Sequence, residues 1–97
     1  MEIQTGHIVR ALAGHDSGEL YCVIATEGDF LLLADGKRRK TAAPKRKKAK
    51  HAQCVGAFGH PVLSRLAQGA PVSDSEIRRA LAAFRAMEGM TLWQKTI

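Results

Sequence analysis

The 97-residue chain is poor in aromatic residues and in cysteine. Phenylalanine, tyrosine and tryptophan together make up 5% of it, and the two cysteines are Cys22 and Cys54. Two cysteines are too few for a disulfide framework, and we expect Cys22, which lies in an apolar run, to be a reduced and buried thiol. Because Tyr21 and Phe30 lie inside predicted strands, both are expected in the core. Because few aromatic rings are then expected at the surface, we do not expect the protein to recognise nucleic-acid bases by stacking them on aromatic side chains.

Long apolar runs and export signals are also missing. No apolar stretch approaches the roughly 20 residues that a membrane-spanning helix needs. The opening residues, MEIQTGHIV, lack the basic region and the apolar core of a secretory signal. We therefore expect one small domain that resides in the cytoplasm.

The sequence carries no recognisable motif for catalysis. Its acidic residues are scattered singly, and it contains no nucleophile motif, phosphate-binding loop or dinucleotide fingerprint. His51, Cys54 and His60 offer three zinc ligands, whereas a structural zinc site takes four. We expect a non-catalytic protein without metal or cofactor.

Positive charge is concentrated in one segment that has no acidic residue. The segment 37–50, KRRKTAAPKRKKAK, holds nine of the fifteen Lys and Arg residues, and the net charge of +6 leaves about −3 for the rest. Like charges held together cost folding free energy that a polyanion would offset. We interpret the segment as an RNA-binding surface rather than a solvated tail, and no lipid-attachment signal favours a membrane surface instead. The predicted contacts are Lys37, Arg38, Arg39, Lys40, Lys45, Arg46, Lys47, Lys48, Lys50 and His51.

Turn signals divide the first part of the chain into short apolar runs. These runs predict strands in residues 8–12, 19–26 and 30–34. Asp and Ser bond their own backbone in turns and glycine accepts a positive φ, so turns are predicted at 15–18 and 27–29, with Gly14 and Gly18 as structural glycines. Short strands at this spacing predict a compact antiparallel barrel.

Two more strands are predicted in and after the basic segment. Asp35-Gly36 is a favoured two-residue hairpin connection, which places a returning strand at 37–41. Pro44 lacks the amide that a strand ladder needs and should interrupt pairing. A last strand is predicted near residues 47–54.

The pattern changes from strand to helix near residue 61. Pro61 suits the first position of a helix and Gly69 its end, which predicts a helix from about 61 to 68. Ser73 and Glu76 form a capping box that begins a second helix, predicted to end at Gly89. Its apolar face is expected to cover an open side of the barrel. The residues of that face are Ile77, Ala80, Leu81, Phe84 and Met87.

Residues 6–26, GHIVRALAGHDSGELYCVIAT, resemble the KOW motif, in which a glycine-containing loop joins two strands. The continuations LLADGKRRK, PKRKKAKH and SDSEIRRAL are similar to small bacterial KOW-domain RNA-binding proteins. That family is related to archaeal and eukaryotic large-subunit ribosomal proteins of the L14e/L6e/L27e kind. The resemblance implies an SH3-like barrel, RNA as the ligand and association with ribosomal RNA.

The expected architecture is mainly β with C-terminal α structure. A small SH3-like antiparallel β-barrel would span residues 1–54, two short helices would pack on it within 55–89, and residues 90–97 would form a tail. Auxiliary RNA contacts are predicted at Arg10, His15, Arg78, Arg79 and Arg85. His15 is equally compatible with a plain turn. The alternative function is a protein-interaction module of the translation or transcription machinery that uses the barrel or the C-terminal helices.

Overall fold

A computed structural model describes residues 2–55 and 58–95, with side chains described as far as residue 89. The architecture is mainly a five-stranded antiparallel sheet followed by two helices. The strands are β1 (Ile8–Ala11), β2 (Leu20–Glu27), β3 (Phe30–Ala34), β4 (Lys45–Lys48) and β5 (Ala52–Cys54). The helices are α1 (Pro61–Ala67) and α2 (Asp74–Lys95), and a 3₁₀ helix (Ala49–His51) joins β4 to β5. The strand order across the sheet is β4-β3-β2-β1-β5.

Alternating side chains give the sheet two buried faces. Along β1, Val9 and Ala11 point to an inner cluster, whereas Ile8 points to an outer cluster that the helices complete. Burying each large apolar side chain stabilises the fold by about 1.5–3 kcal/mol. The inner cluster consists of Val9, Ala11, Tyr21, Val23, Leu31, Leu33 and Ala52. The outer cluster consists of Ile8, Leu20, Cys22, Val62, Leu63, Leu66, Ile77, Ala80, Leu81 and Phe84.

The sheet is curled but open, so the predicted closed barrel is only partly formed. Within the described residues no ladder pairs β4 with β5, the two edge strands. Five flat strands would hold their edges about 19 Å apart, yet only the three residues of the 3₁₀ helix connect them. The sheet must therefore curl until its edges approach at one corner. There the Ala49 amide donates a 2.8 Å hydrogen bond to the Asp29 carbonyl.

The prediction of a strand at residues 37–41 is wrong, because these residues belong to a loop. The Asp35 Oδ1 atom accepts hydrogen bonds from the Lys37 and Arg39 amides, each 2.9 Å long. A side chain that binds these amides competes with strand pairing, and Asp35-Gly36 is therefore not a two-residue hairpin turn. The fourth strand forms later, directly after Pro44, so the residue without an amide stays outside the ladder as predicted.

The first helix and the capping box are confirmed. Helix α1 begins at Pro61, and the His60 ring accepts a 3.2 Å hydrogen bond from the Val62 amide. At the start of α2, Ser73 Oγ accepts from the Glu76 amide at 3.2 Å, and Glu76 Oε1 accepts from the Ser73 amide at 3.1 Å.

Helix α2 differs from its prediction at its C-terminal end. It continues through Gly89 to Lys95, because a glycine weakens a helix by only about 1 kcal/mol and does not block its hydrogen bonds. The predicted tail is therefore helical up to Lys95, and residues 96–97 lie outside the described part. Ile77, Leu81 and Phe84 are buried as predicted, whereas Met87 is 42% exposed. None of the helices in the described ranges is both long and apolar enough to cross a membrane.

Candidate nucleic-acid interface

Residues 35–44, here called the basic loop, present four consecutive cations to solvent. Lys37, Arg38, Arg39 and Lys40 are all exposed. Within the described part of the chain, their side chains take part in no ion pair or hydrogen bond given by the structure. The Asp35 and Gly36 amides donate to the Arg39 carbonyl at 3.0 and 3.1 Å, which closes the loop upon itself. The loop is therefore an ordered turn whose charges are available to a ligand.

The basic loop is attached to the first turn of α2 by three contacts. The Thr41 amide donates a 2.7 Å hydrogen bond to Asp74 Oδ1. The Arg78 guanidinium donates to the Gly36 carbonyl. Gly36 has a φ of 76° and lies so close to the Asp74 carbonyl that a side chain would not fit. These contacts fix where the four cations stand relative to the helix.

A cleft of about 230 Å³ lies between the basic loop and α2. Arg78 and Arg85 line it from the helix. The structure thus places two of the predicted auxiliary RNA contacts beside Lys37 and Arg38 of the basic loop. Arg79 is exposed but does not line this cleft. The complete lining is Glu19, Asp35, Lys37, Arg38, Arg78 and Arg85. Four cations against two acids give the cleft a net positive charge that suits a phosphate.

Two lysines of β4 are engaged within the protein. Lys45 forms an ion pair with Asp16, and Lys47 donates a 3.2 Å hydrogen bond to the Ala13 carbonyl. Both lie on the face of the sheet that carries Leu31 and Leu33. Burial and then the like charge of Lys47 lower the pKa of Lys45. These two predicted contacts are less available to RNA than the loop cations.

Arg46 and Lys48 lie on the opposite face of β4, beside Phe30. The Arg46 Cζ atom lies 3.6 Å from the centroid of the Phe30 ring, and Lys48 Nζ lies 5.8 Å from it. Arg46 also contacts Glu27, with Nε 3.4 Å from Oε1. The expectation that Phe30 belongs to the core is wrong, because its ring is only partly buried and belongs to neither core cluster.

Three of the remaining predicted RNA contacts are exposed side chains. Lys50 and His51 are exposed on the 3₁₀ helix, and His15 is exposed in the β1–β2 loop. That loop uses positive φ angles of 85° at Gly14 and 89° at Gly18, as predicted for structural glycines.

Arg10 is engaged with α2. It donates to both oxygens of Glu88, at 3.1 and 2.8 Å, and to the Gly18 carbonyl at 3.1 Å. This geometry fits a structural role, in which Arg10 connects β1 to α2, better than the predicted auxiliary contact with RNA.

The residues considered as metal ligands are not gathered into a site. Among the residues that the structure describes, no three His, Cys, Asp or Glu side chains are placed to share an ion. Cys54 Sγ lies 3.7 Å from His7 Nδ1, which already accepts a 3.1 Å hydrogen bond from the Gln4 amide. Cys22 and Cys54 are both free thiols, and burial raises the pKa of Cys22 to about 12. An inert, protonated Cys22 agrees with the sequence prediction.

Sequence reasoning found the cations but missed the residues that position them. Asp35 and Asp74 arrange the basic loop, and Phe30 supports Arg46. The Asp35-Gly36 pair does indicate a turn, but this turn begins the basic loop and is not the predicted two-residue hairpin connection. Nothing in the sequence linked Asp74 to a loop that lies thirty residues earlier.

Comparison with protein-family models gives no match, and comparison with curated proteins finds no significantly similar chain.

Proposed function

We propose that this protein is a non-catalytic, cytoplasmic RNA-binding protein that holds the phosphate backbone of folded RNA, and specifically ribosomal RNA. The observation that carries the proposal is the basic loop. Its four neighbouring cations are exposed and unpaired in the described part of the chain, and the loop is fixed to α2 by Asp74 and Arg78. Because the backbone of the loop is already ordered, binding costs less conformational entropy than it would for a flexible segment, which favours affinity for phosphates.

We further propose that the sheet is SH3-like, as the KOW resemblance implies, and the order of the strands supports this. Strands β1 to β4 form a meander, and β5 follows a 3₁₀ helix and pairs with β1 at the other side. This arrangement agrees with the KOW resemblance of residues 6–26. The assignment to ribosomal RNA rests on that resemblance alone.

The alternative, a protein-interaction module, gains less support. Two of the apolar side chains that such a surface would need on α2 are Ile77 and Phe84, which are 0% and 4% exposed. Their burial in the outer cluster leaves them unable to dock a partner without unfolding the helix from the sheet.

The proposal is tested by removing charge from the basic loop. The variant Lys37→Gln, Arg38→Gln, Lys40→Gln loses three positive charges. Its control, Gln4→Glu, Ser64→Glu, Gln68→Glu, lowers the net charge equally at exposed sites near and on α1. Binding to a fluorescent ribosomal RNA fragment is measured between about 50 and 200 mM salt, where a protein with many phosphate contacts loses on the order of 10³-fold in affinity.

We expect the loop variant to bind at least about tenfold more weakly and to lower the salt slope by about three. The control should keep the wild-type slope. Equal losses in the two variants would mean that only net charge matters, and the proposed interface would be wrong. Crosslinking to RNA in cells, with the same two variants, then tests the ribosomal assignment. Reads at one ribosomal RNA site that only the loop variant loses would support it, whereas scattered reads would contradict it.

A further inference from the structure

The outer face of β3 and β4 carries an aromatic ring that neither core cluster uses. In the register of the two strands, Phe30 lies opposite Lys48, and Leu32 lies opposite Arg46. Phe30 is thus a diagonal neighbour of Arg46 on the same face. Strand β4 is an edge strand of the sheet, so this patch can be approached from above and from the side.

The distance between Arg46 and Phe30 favours a stacked arrangement of the guanidinium on the ring. The Cζ atom is 3.6 Å from the ring centroid, and the guanidinium nitrogens lie about 1.3 Å from Cζ. A guanidinium that pointed end-on at the ring would bring one nitrogen far inside van der Waals contact. The distance excludes an end-on approach and favours a guanidinium plane that lies over the ring, with one face on Phe30 and the other turned away from it.

The outward face of Arg46 remains accessible. The Arg46 side chain is 57% exposed, and its Nε atom contacts Glu27, which fixes the guanidinium from one side. No hydrogen bond of the two terminal amino groups is given by the structure for the described residues. Lys48 Nζ, 5.8 Å from the same ring, adds a second cation beside the stack.

We propose that this stack is a platform for an unpaired RNA base, which lies on the outward face of the Arg46 guanidinium while Lys48 contacts the neighbouring phosphate. The inference rests on the proposed RNA-binding function and adds that the RNA is single-stranded where it meets β4. A planar, delocalised cation held on an aromatic ring offers the surface on which bases stack. Bases within a duplex are already stacked on one another and do not offer a free face.

The test separates stacking from charge. Arg46→Lys keeps the charge and loses the plane, whereas Lys48→Gln loses a charge and leaves the stack intact. Two probes are used: a single-stranded RNA about 12 nucleotides long with a central 2-aminopurine, and the same strand paired with its complement. Affinity is measured at one salt concentration, and 2-aminopurine fluorescence reports stacking of the central base.

We expect Arg46→Lys to bind the single strand about tenfold more weakly and the duplex within twofold of wild type. Quenching of 2-aminopurine by the wild type should be lost in this variant. Phe30→Leu should reproduce both effects, provided that its thermal unfolding shows a folded protein. Lys48→Gln should weaken both probes alike.

Two contrary outcomes are distinguishable. If Arg46→Lys binds both probes like the wild type, Arg46 acts only as a charge. If it loses affinity for both equally, Arg46 makes a contact that single strand and duplex share, which is not base stacking. The platform would then be wrong while RNA binding stands. If the wild type binds neither probe, nor the ribosomal RNA fragment above, the proposed function itself fails.

Discussion

Gly36 and Asp74 are in direct backbone contact, although they lie in a loop and in a helix that are distant in sequence. A side-chain carbon at Gly36 would overlap the Asp74 carbonyl, and the φ of 76° at Gly36 favours glycine independently of that contact. The contact places the basic loop against α2. A change at Gly36 is therefore expected to affect both the stability of the fold and the position of the loop cations.

The first prediction concerns that coupling. Gly36→Ala should lower the free energy of unfolding by about 3 kcal/mol or more, because left-handed backbone strain adds to steric overlap. Gly14→Ala is the matched control: it has a φ of 85° but open space around it, so only about 1–2 kcal/mol of strain is expected. Urea unfolding measures both. Similar losses in the two variants would contradict the tight contact.

The second prediction concerns the ion pair between Asp16 and Lys45. Asp16→Asn should release Lys45 and raise RNA affinity about threefold, with a salt slope steeper by up to about one. Asp29→Asn makes the same charge change at an exposed residue whose side chain has no partner given by the structure in the described ranges. An equal gain in both variants, measured by RNA titration, would show that Lys45 is not held back by Asp16.

The third prediction concerns acid stability. A hydrogen bond from Arg65, aided by the Ser73 amide, lowers the pKa of Glu76 to about 2, against a usual value of 4.5. A lowered folded-state pKa stabilises the fold above the unfolded value, and this contribution disappears as the pH falls from about 4.5 through about 2. Wild type should therefore lose its stability advantage over Glu76→Gln across that window.

Urea midpoints measured at several pH values test this behaviour. Arg65→Gln removes the largest cause of the lowered pKa and should flatten the wild-type dependence. A difference between wild type and Glu76→Gln that stays constant down to about pH 2 would exclude the assignment.

The fourth prediction separates a structural role for Arg10 from a role in RNA binding. Arg10 and Glu88 form an ion pair with side chains 32% and 36% exposed, so Arg10→Gln should cost no more than about 1 kcal/mol. RNA affinity should stay within twofold of wild type. A loss as large as that of the basic-loop variant would make Arg10 an RNA contact after all.

The sequence was most informative where apolar patterning is strong. The apolar runs predicted as strands at 8–12, 19–26 and 30–34 match β1, β2 and β3 closely, and the capping box at Ser73 locates the start of α2. These features depend on neighbouring residues, which the sequence displays directly.

The basic segment was predicted less well because charge carries no strand or loop periodicity. Four of its cations lie in a loop that Asp35 and Asp74 shape, and the latter is far away in sequence. The outward position of Phe30 likewise depends on where the curled sheet ends and on the guanidinium that covers the ring. The candidate site could thus be predicted as a list of cations, but its geometry could not.

The pairing of β5 with β1 has a consequence for how the chain folds. Val9 pairs with Cys54, so the sheet is completed only after almost the whole β region has been synthesised and brought together. Such distant pairing slows folding, and the chain that must be put in place before β5 can pair includes the mutually repelling cations of the basic loop and β4. Added salt should therefore speed refolding, even though it weakens the hold on a polyanion.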